Sequence, residues 1–125
     1  MANVGVTINA NGSISVDADP VIVKIGDTIT WNVKDNSASG VTVNFDNWQL
    51  VSGSSSFASP FSKTSNPDFV ATASPGGTGA TTSGPVTADP NTTWSYTVAL
   101  GGKGISIDPR VVISGSFDVK SREVY

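Results

Sequence analysis

The stretch Val21 to Phe45, VIVKIGDTITWNVKDNSASGVTVNF, decides the fold. Val21, Val23 and Ile25 alternate with Ile22 and Lys24, and Gly26-Asp27 turns the chain. Ile29, Trp31 and Val33 then alternate with Thr28, Thr30 and Asn32. After a polar loop, Lys34 to Gly40, Val41, Val43 and Phe45 stand opposite Thr42 and Asn44. Successive side chains on a strand point to opposite faces. Alternation of β-branched and aromatic residues between Gly/Asp/Asn/Ser clusters is therefore the pattern of half-buried antiparallel strands. Trp31 lies on the apolar phase, so it is expected between two sheets, with Ile29, Val33, Val43, Trp94 and Val98 as neighbours.

The flanks continue the pattern. Val4, Val6 and Ile8 make a first strand, and Asn11-Gly12 signals a type I′ hairpin turn into Ile14 and Val16. Asp17-Ala18-Asp19-Pro20 ends that piece, since proline has no N–H to pair. Further on, Trp94, Tyr96, Val98 and Leu100 face one way, Ser95, Thr97 and Ala99 the other, and Gly101-Gly102 turns the chain. Ile105 and Ile107 open a strand that Asp108-Pro109 interrupts. Val111 to Ile113, then Phe117 and Val119, form the last strand region before a charged tail, Lys120 to Tyr125. Seven to eight strands in 125 residues predict one all-β domain over 1–125, a Greek-key β-sandwich.

Between Val51 and Pro90 the character changes. Thirty of these 40 residues are Ser, Thr, Gly, Ala or Pro, and no sustained alternation is evident. The segment reads as a long insertion pinned to the sandwich by Phe57, Phe61 and Phe69, and as the working face. Its Gly-rich part, Ser74 to Gly84, is expected to be cut first by protease unless a partner covers it.

Composition excludes several classes. Leucine appears only at Leu50 and Leu100, and glutamate only at Glu123, so good helix formers are scarce. The net charge is −3 and the seven basic residues form no run, which argues against a nucleic-acid surface. No 18-residue apolar stretch is present to span a membrane. The N-terminus lacks the basic start and apolar run of a signal peptide. The Ser/Thr/Gly/Asn-rich, Lys-poor composition nevertheless leans toward a secreted or cell-surface protein.

The order of pieces resembles a cupredoxin. Val21 to Gly26-Asp27 followed by Thr28-Ile-Thr-Trp31 is similar to that family's strand, Gly-Asp/Glu turn and aromatic-bearing strand. Val41-Thr-Val-Asn-Phe45-Asp46 resembles the strand that carries its first copper histidine, and Pro90 to Leu100 its penultimate hairpin arm. Ile105-Ser-Ile-Asp108-Pro109 falls where the ligand-loop cysteine lies. The likeness covers about 2–50 and 88–119 and implies a cupredoxin-like sandwich. The activity does not carry over. A blue-copper site needs two imidazoles and a thiolate, and this chain has no His, no Cys and no Met besides Met1. Val41 and Asp108 stand near the ligand positions, so no copper-thiolate absorption and no bound Cu or Zn are expected.

Other chemistries lack their partners. Serine is abundant, but a nucleophile needs a base; His is absent, and Lys24, Lys34, Lys63 and Lys103 sit in no motif. Asp17, Asp19, Asp46 and Asp108 could pair as catalytic carboxylates, and Asp17, Asp19, Asp35 and Asn36 could bind calcium. Turn duty on backbone N–H groups is the simpler role. Trp48, beside Asp46, reads either as a loop anchor or as a sugar-stacking platform. Two functions stay open. One is a non-catalytic structural or assembly module that self-associates or binds a protein partner, without a cofactor. The other is a ligand-binding module, with carbohydrate the foremost ligand, using Asp46, Trp48, Phe57, Phe61 and Phe69.

Overall fold

The structure, a computed structural model, describes residues 2–61, 69–101 and 104–115. Within them the strands are β1 (Ala2–Ile8), β2 (Ile14–Val16), β3 (Val21–Val23), β4 (Ile29–Asp35) and β5 (Val41–Ser52). There follow β6 (Phe69–Ala73), β7 (Thr78–Thr82), β8 (Thr92–Leu100), β9 (Ser106–Ile107) and β10 (Arg110–Ile113). One sheet runs β2-β1-β4-β7; the other runs β3-β10-β8-β5-β6, with β9 also on β8. Both contribute to one buried core, so the molecule is a β-sandwich.

The strand phases follow the alternation. Ile29, Trp31, Val33, Val43, Phe45, Trp94, Tyr96 and Val98 are all buried. Ile25 is the exception: β3 ends at Val23 and Ile25 stays exposed in the turn. There the Lys24 N–H donates to Asp27 Oδ2, and the Asp27 N–H donates back to the Lys24 carbonyl.

Pairing departs from expectation. Gly26-Asp27 does not close a hairpin. It carries the chain from one sheet to the other, held by Gly26 N–H to the Val86 carbonyl and Val86 N–H to the Asp27 carbonyl. β3 therefore runs parallel to β10, and β4 runs parallel to β1 from Ala2↔Ile29 to Ile8↔Asp35. The sheets are mixed rather than antiparallel. At Asn11-Gly12 only Gly12 takes positive φ (90°). Asn11 Oδ1 instead accepts from the Ser13 N–H, so the hairpin has a three-residue loop and not a type I′ turn.

The Val51–Pro90 segment is not an insertion outside the sheets. β6 pairs with β5, and β7 pairs with β4, so the segment supplies an edge strand to each sheet. A turn through Pro75-Gly76 joins them. Gly79 lies so close to β6 that a Cβ there would overlap the Thr72 carbonyl. β9 and β10 form one strand broken at Asp108-Pro109, as the sequence suggests, with the Tyr96 N–H on the Pro109 carbonyl. Phe117, Val119 and the Lys120–Tyr125 tail lie outside the described residues, as do Lys63 and Lys103.

Candidate functional site

β5 determines where the named site residues go. Val43 and Phe45 point inward, and strict alternation would send residue 47 inward next. Asn47 instead adopts φ 59°, a left-handed conformation that Asn tolerates. The register on β8 shifts between Asp46 and Gln49, so this is a bulge that re-aims the following side chain. Trp48 consequently turns into the core, with 9% of its surface left exposed. Its ring stacks on Tyr96 (centroids 4.7 Å apart) and meets the edge of Phe61 (5.0 Å). Trp31 is stacked on Phe45 at 4.8 Å and lies 5.4 Å from Phe69 and 5.8 Å from Tyr96. The rings around Trp31 are thus Phe45, Phe69, Tyr96 and Trp48, where the sequence pointed to Trp94 and aliphatic side chains.

Of the five sequence-named site residues, Trp48, Phe61 and Phe69 come together, inside the protein. Phe57 stays apart, 46% exposed in the loop after β5. Asp46 lies on the outer face of the sheet, where burial pushes its carboxyl above the usual carboxylate range. A sugar-stacking platform needs an accessible ring face, and Trp48 has little to offer. Its indole Nε1 is buried without a hydrogen-bond partner among the described residues.

The aspartates act on the backbone. Asp17 Oδ1 accepts from the Gly5 N–H, Asp19 Oδ1 from the Arg110 N–H, and Asp35 Oδ1 from the N–H and hydroxyl of Ser37. Among the described residues no three His, Cys, Asp or Glu side chains are grouped to hold a metal. Lys34 Nζ donates to the Gly76 carbonyl rather than to a serine. The buried Ser83 hydroxyl accepts from the Ile29 N–H and donates to the Gly84 carbonyl, which is a structural use.

The two positions that resemble copper ligands are not brought together. Val41 sits at the end of the sandwich where β5 begins. Asp108 lies on the outer face, where it accepts from the Thr97 hydroxyl at 2.9 Å. Val41 instead lines a cavity of about 210 Å³ together with Ile8, Leu100, Ile105, Asn11, Ser37 and Ser39. A second cavity of about 300 Å³ adjoins it across Val41 and Leu100. The lining mixes apolar side chains with the hydroxyls of Ser37, Ser39 and Thr42, with no imidazole or thiolate. Sequence reading missed this cleft because its residues come from stretches far apart in the chain: 8–12, 37–41, Leu100 and Ile105.

No protein-family model matches the chain, and no curated protein matches it. Solved structures do: 19 chains resemble it. One is the McoA multicopper oxidase 2F4 variant from the hyperthermophile Aquifex aeolicus, with a TM-score of 0.52 and 11% sequence identity. The match covers 89% of this chain and 29% of that one, so the chain spans less than a third of that oxidase's length. The fold is a cupredoxin-like β-sandwich.

Proposed function

We propose that this chain is a non-catalytic structural or assembly module, acting at the cell surface or in secreted form. One observation carries the reading. The aromatic side chains best suited to gripping a small ligand, Trp48, Phe61 and Phe69, are committed to the core. The outer sheet faces include rows of short, uncharged side chains. On β8, for example, Thr93, Ser95, Thr97 and Ala99 face outward. Such faces suit packing against another protein, because short side chains lose little rotamer entropy when covered. Sedimentation of the full chain over a range of concentrations tests the reading. Mass that rises with concentration supports it, and a strict monomer counts against self-assembly.

The end cleft favours a second reading, a ligand-binding module. A lining that mixes apolar side chains with serine and threonine hydroxyls is one that a neutral sugar can use. Titration with a panel of oligosaccharides, followed by amide chemical shifts at Ser37, Ser39 and Leu100, decides it. Absence of any shift there removes carbohydrate from consideration.

A further inference from the structure

The outer face of the six-stranded sheet carries an ordered charge pattern. Two adjacent cross-strand rows lie at its centre. One is Arg110–Ser95–Gln49, set by the register of β10, β8 and β5. The next row along is Asp108–Thr97–Asp46, set by the Thr97–Asp108 hydrogen bond and the Asp46↔Thr97 pairing. The first row is basic at the β10 side. The second is acidic at both sides. The Arg110 backbone N–H is held by Asp19, but its guanidinium has no ion pair among the described residues. An arginine standing next to an acidic row on an open sheet face is set up for a partner with the same rows in reverse order.

A second copy of this chain supplies that order. Consider a two-fold axis lying in the plane of contact, across the strands and midway between the two rows. It places Arg110 over Asp108 of the second copy, Ser95 over Thr97, and Gln49 over Asp46. One row further out, it places Thr93 over Ala99. Every contact then occurs twice, as an isologous interface requires. Resting on the assembly reading above, we propose that this face is a self-association surface that closes into a symmetric dimer. The Arg110–Asp108 pairs fix its register.

The size of the face sets the strength. Five strands about 4.8 Å apart and four rows about 7 Å apart give a patch of roughly 24 by 20 Å, or about 480 Å² per copy. A standard interface covers about 800 Å² per partner, so the dimer is a weak one, with dissociation in the micromolar range or above. The ion pairs contribute more to register and specificity than to affinity, and salt weakens them.

A charge swap tests the proposal, with the full chain followed by sedimentation equilibrium from about 1 to 500 μM, a range that brackets weak association. The 12.8 kDa chain is expected to approach twice its mass as concentration rises. Arg110→Asp and Asp108→Arg should each weaken association about tenfold or more. The double swap should restore it to within about threefold of the parent. Asp108→Asn, which keeps an acceptor for Thr97, guards against a folding defect in Asp108→Arg and should weaken the dimer by itself. Far-UV circular dichroism confirms that each variant is folded. A dimer that ignores all these changes overturns this face while leaving assembly intact. Filaments without a limiting size do the same, since they need a head-to-tail contact. A strict monomer at every concentration overturns both.

Discussion

The indole N–H of Trp31 donates to the hydroxyl of Tyr96 at 3.1 Å, across the interior from β4 in one sheet to β8 in the other. Both residues are fully buried, and their rings also touch. The bond fixes how the sheets face each other at the centre of the core, because neither polar atom has water to fall back on.

Tyr96→Phe should therefore leave the Trp31 N–H buried without its partner, at a cost of about 1–3 kcal/mol. Trp31→Ala removes the ring itself and should cost about 3–5 kcal/mol. Urea denaturation measures both. A Tyr96→Phe protein as stable as the parent would show that the bond contributes nothing.

The same hydroxyl should make stability fall at high pH. Burial, offset by the Trp31 hydrogen bond and reinforced by the charges of Asp19 and Asp17, pushes the Tyr96 pKa up to about 12 from 10.0. The folded state thus holds this proton more tightly than the unfolded state does. The resulting stabilisation is complete below about pH 10 and is lost as pH rises from about 10 to 12. Phenolate absorbance should show a late-titrating tyrosine that Tyr96→Phe eliminates. Titration of that tyrosine near pH 10 in folded protein would contradict the burial.

Gly79→Ala should damage the corner where β6 meets β7. The added carbon would overlap the Thr72 carbonyl, a backbone atom that cannot rotate away, so β6 must shift. Overpacking of this kind costs about 1–3 kcal/mol. Gly84→Ala is the control, since a Cβ there meets nothing within 4 Å. Thermal melting should separate the two variants by several degrees, and equal melting temperatures would mean that β6 yields freely.

Protease sensitivity should follow strand pairing rather than glycine content. Thr78–Thr82 is paired along β4 and should resist, contrary to what the composition of Ser74–Gly84 implies. Chymotrypsin should cut at the exposed Phe57 before the buried Phe61 or Phe69. Mass spectrometry of early fragments reads the order. First cleavage within 78–82 by a protease of broad specificity would show that β7 is not held.

Which residues form strands was legible; what they pair with was not. Alternation marked β4, β5 and β8 because Val, Ile, Trp and Tyr recur on one phase. It passed over β6, whose inward residues after Phe69 are only Ala71 and Ala73, too small to stand out among Ser, Thr and Gly. Gly26-Asp27 looked like a hairpin because a turn between two strands reads the same whether the second strand joins its neighbour or crosses to the other sheet. The interaction that distinguishes them is with Val86, sixty residues away in sequence. Trp48 reads as a loop anchor or a sugar platform rather than a core residue for a similar reason. One left-handed residue, Asn47, reverses the phase from Trp48 to Leu50, and a second shift follows before Ser52.

The parallel pairing of β3 with β10 has a consequence for how the molecule is made. Val21 waits for Val111, so β3 has no partner in its sheet until a strand ninety residues further along is complete. β10 also sits between β3 and β8, in the interior of its sheet rather than at the edge. A nascent chain that ends before Arg110 thus exposes β3 and one side of β8 together. Pairing over so long a separation is slow, so refolding should take milliseconds to seconds, not microseconds. Stopped-flow tryptophan fluorescence gives that rate directly. Until β10 arrives, this sheet is open along two sticky margins, and its most dangerous moment comes on the ribosome.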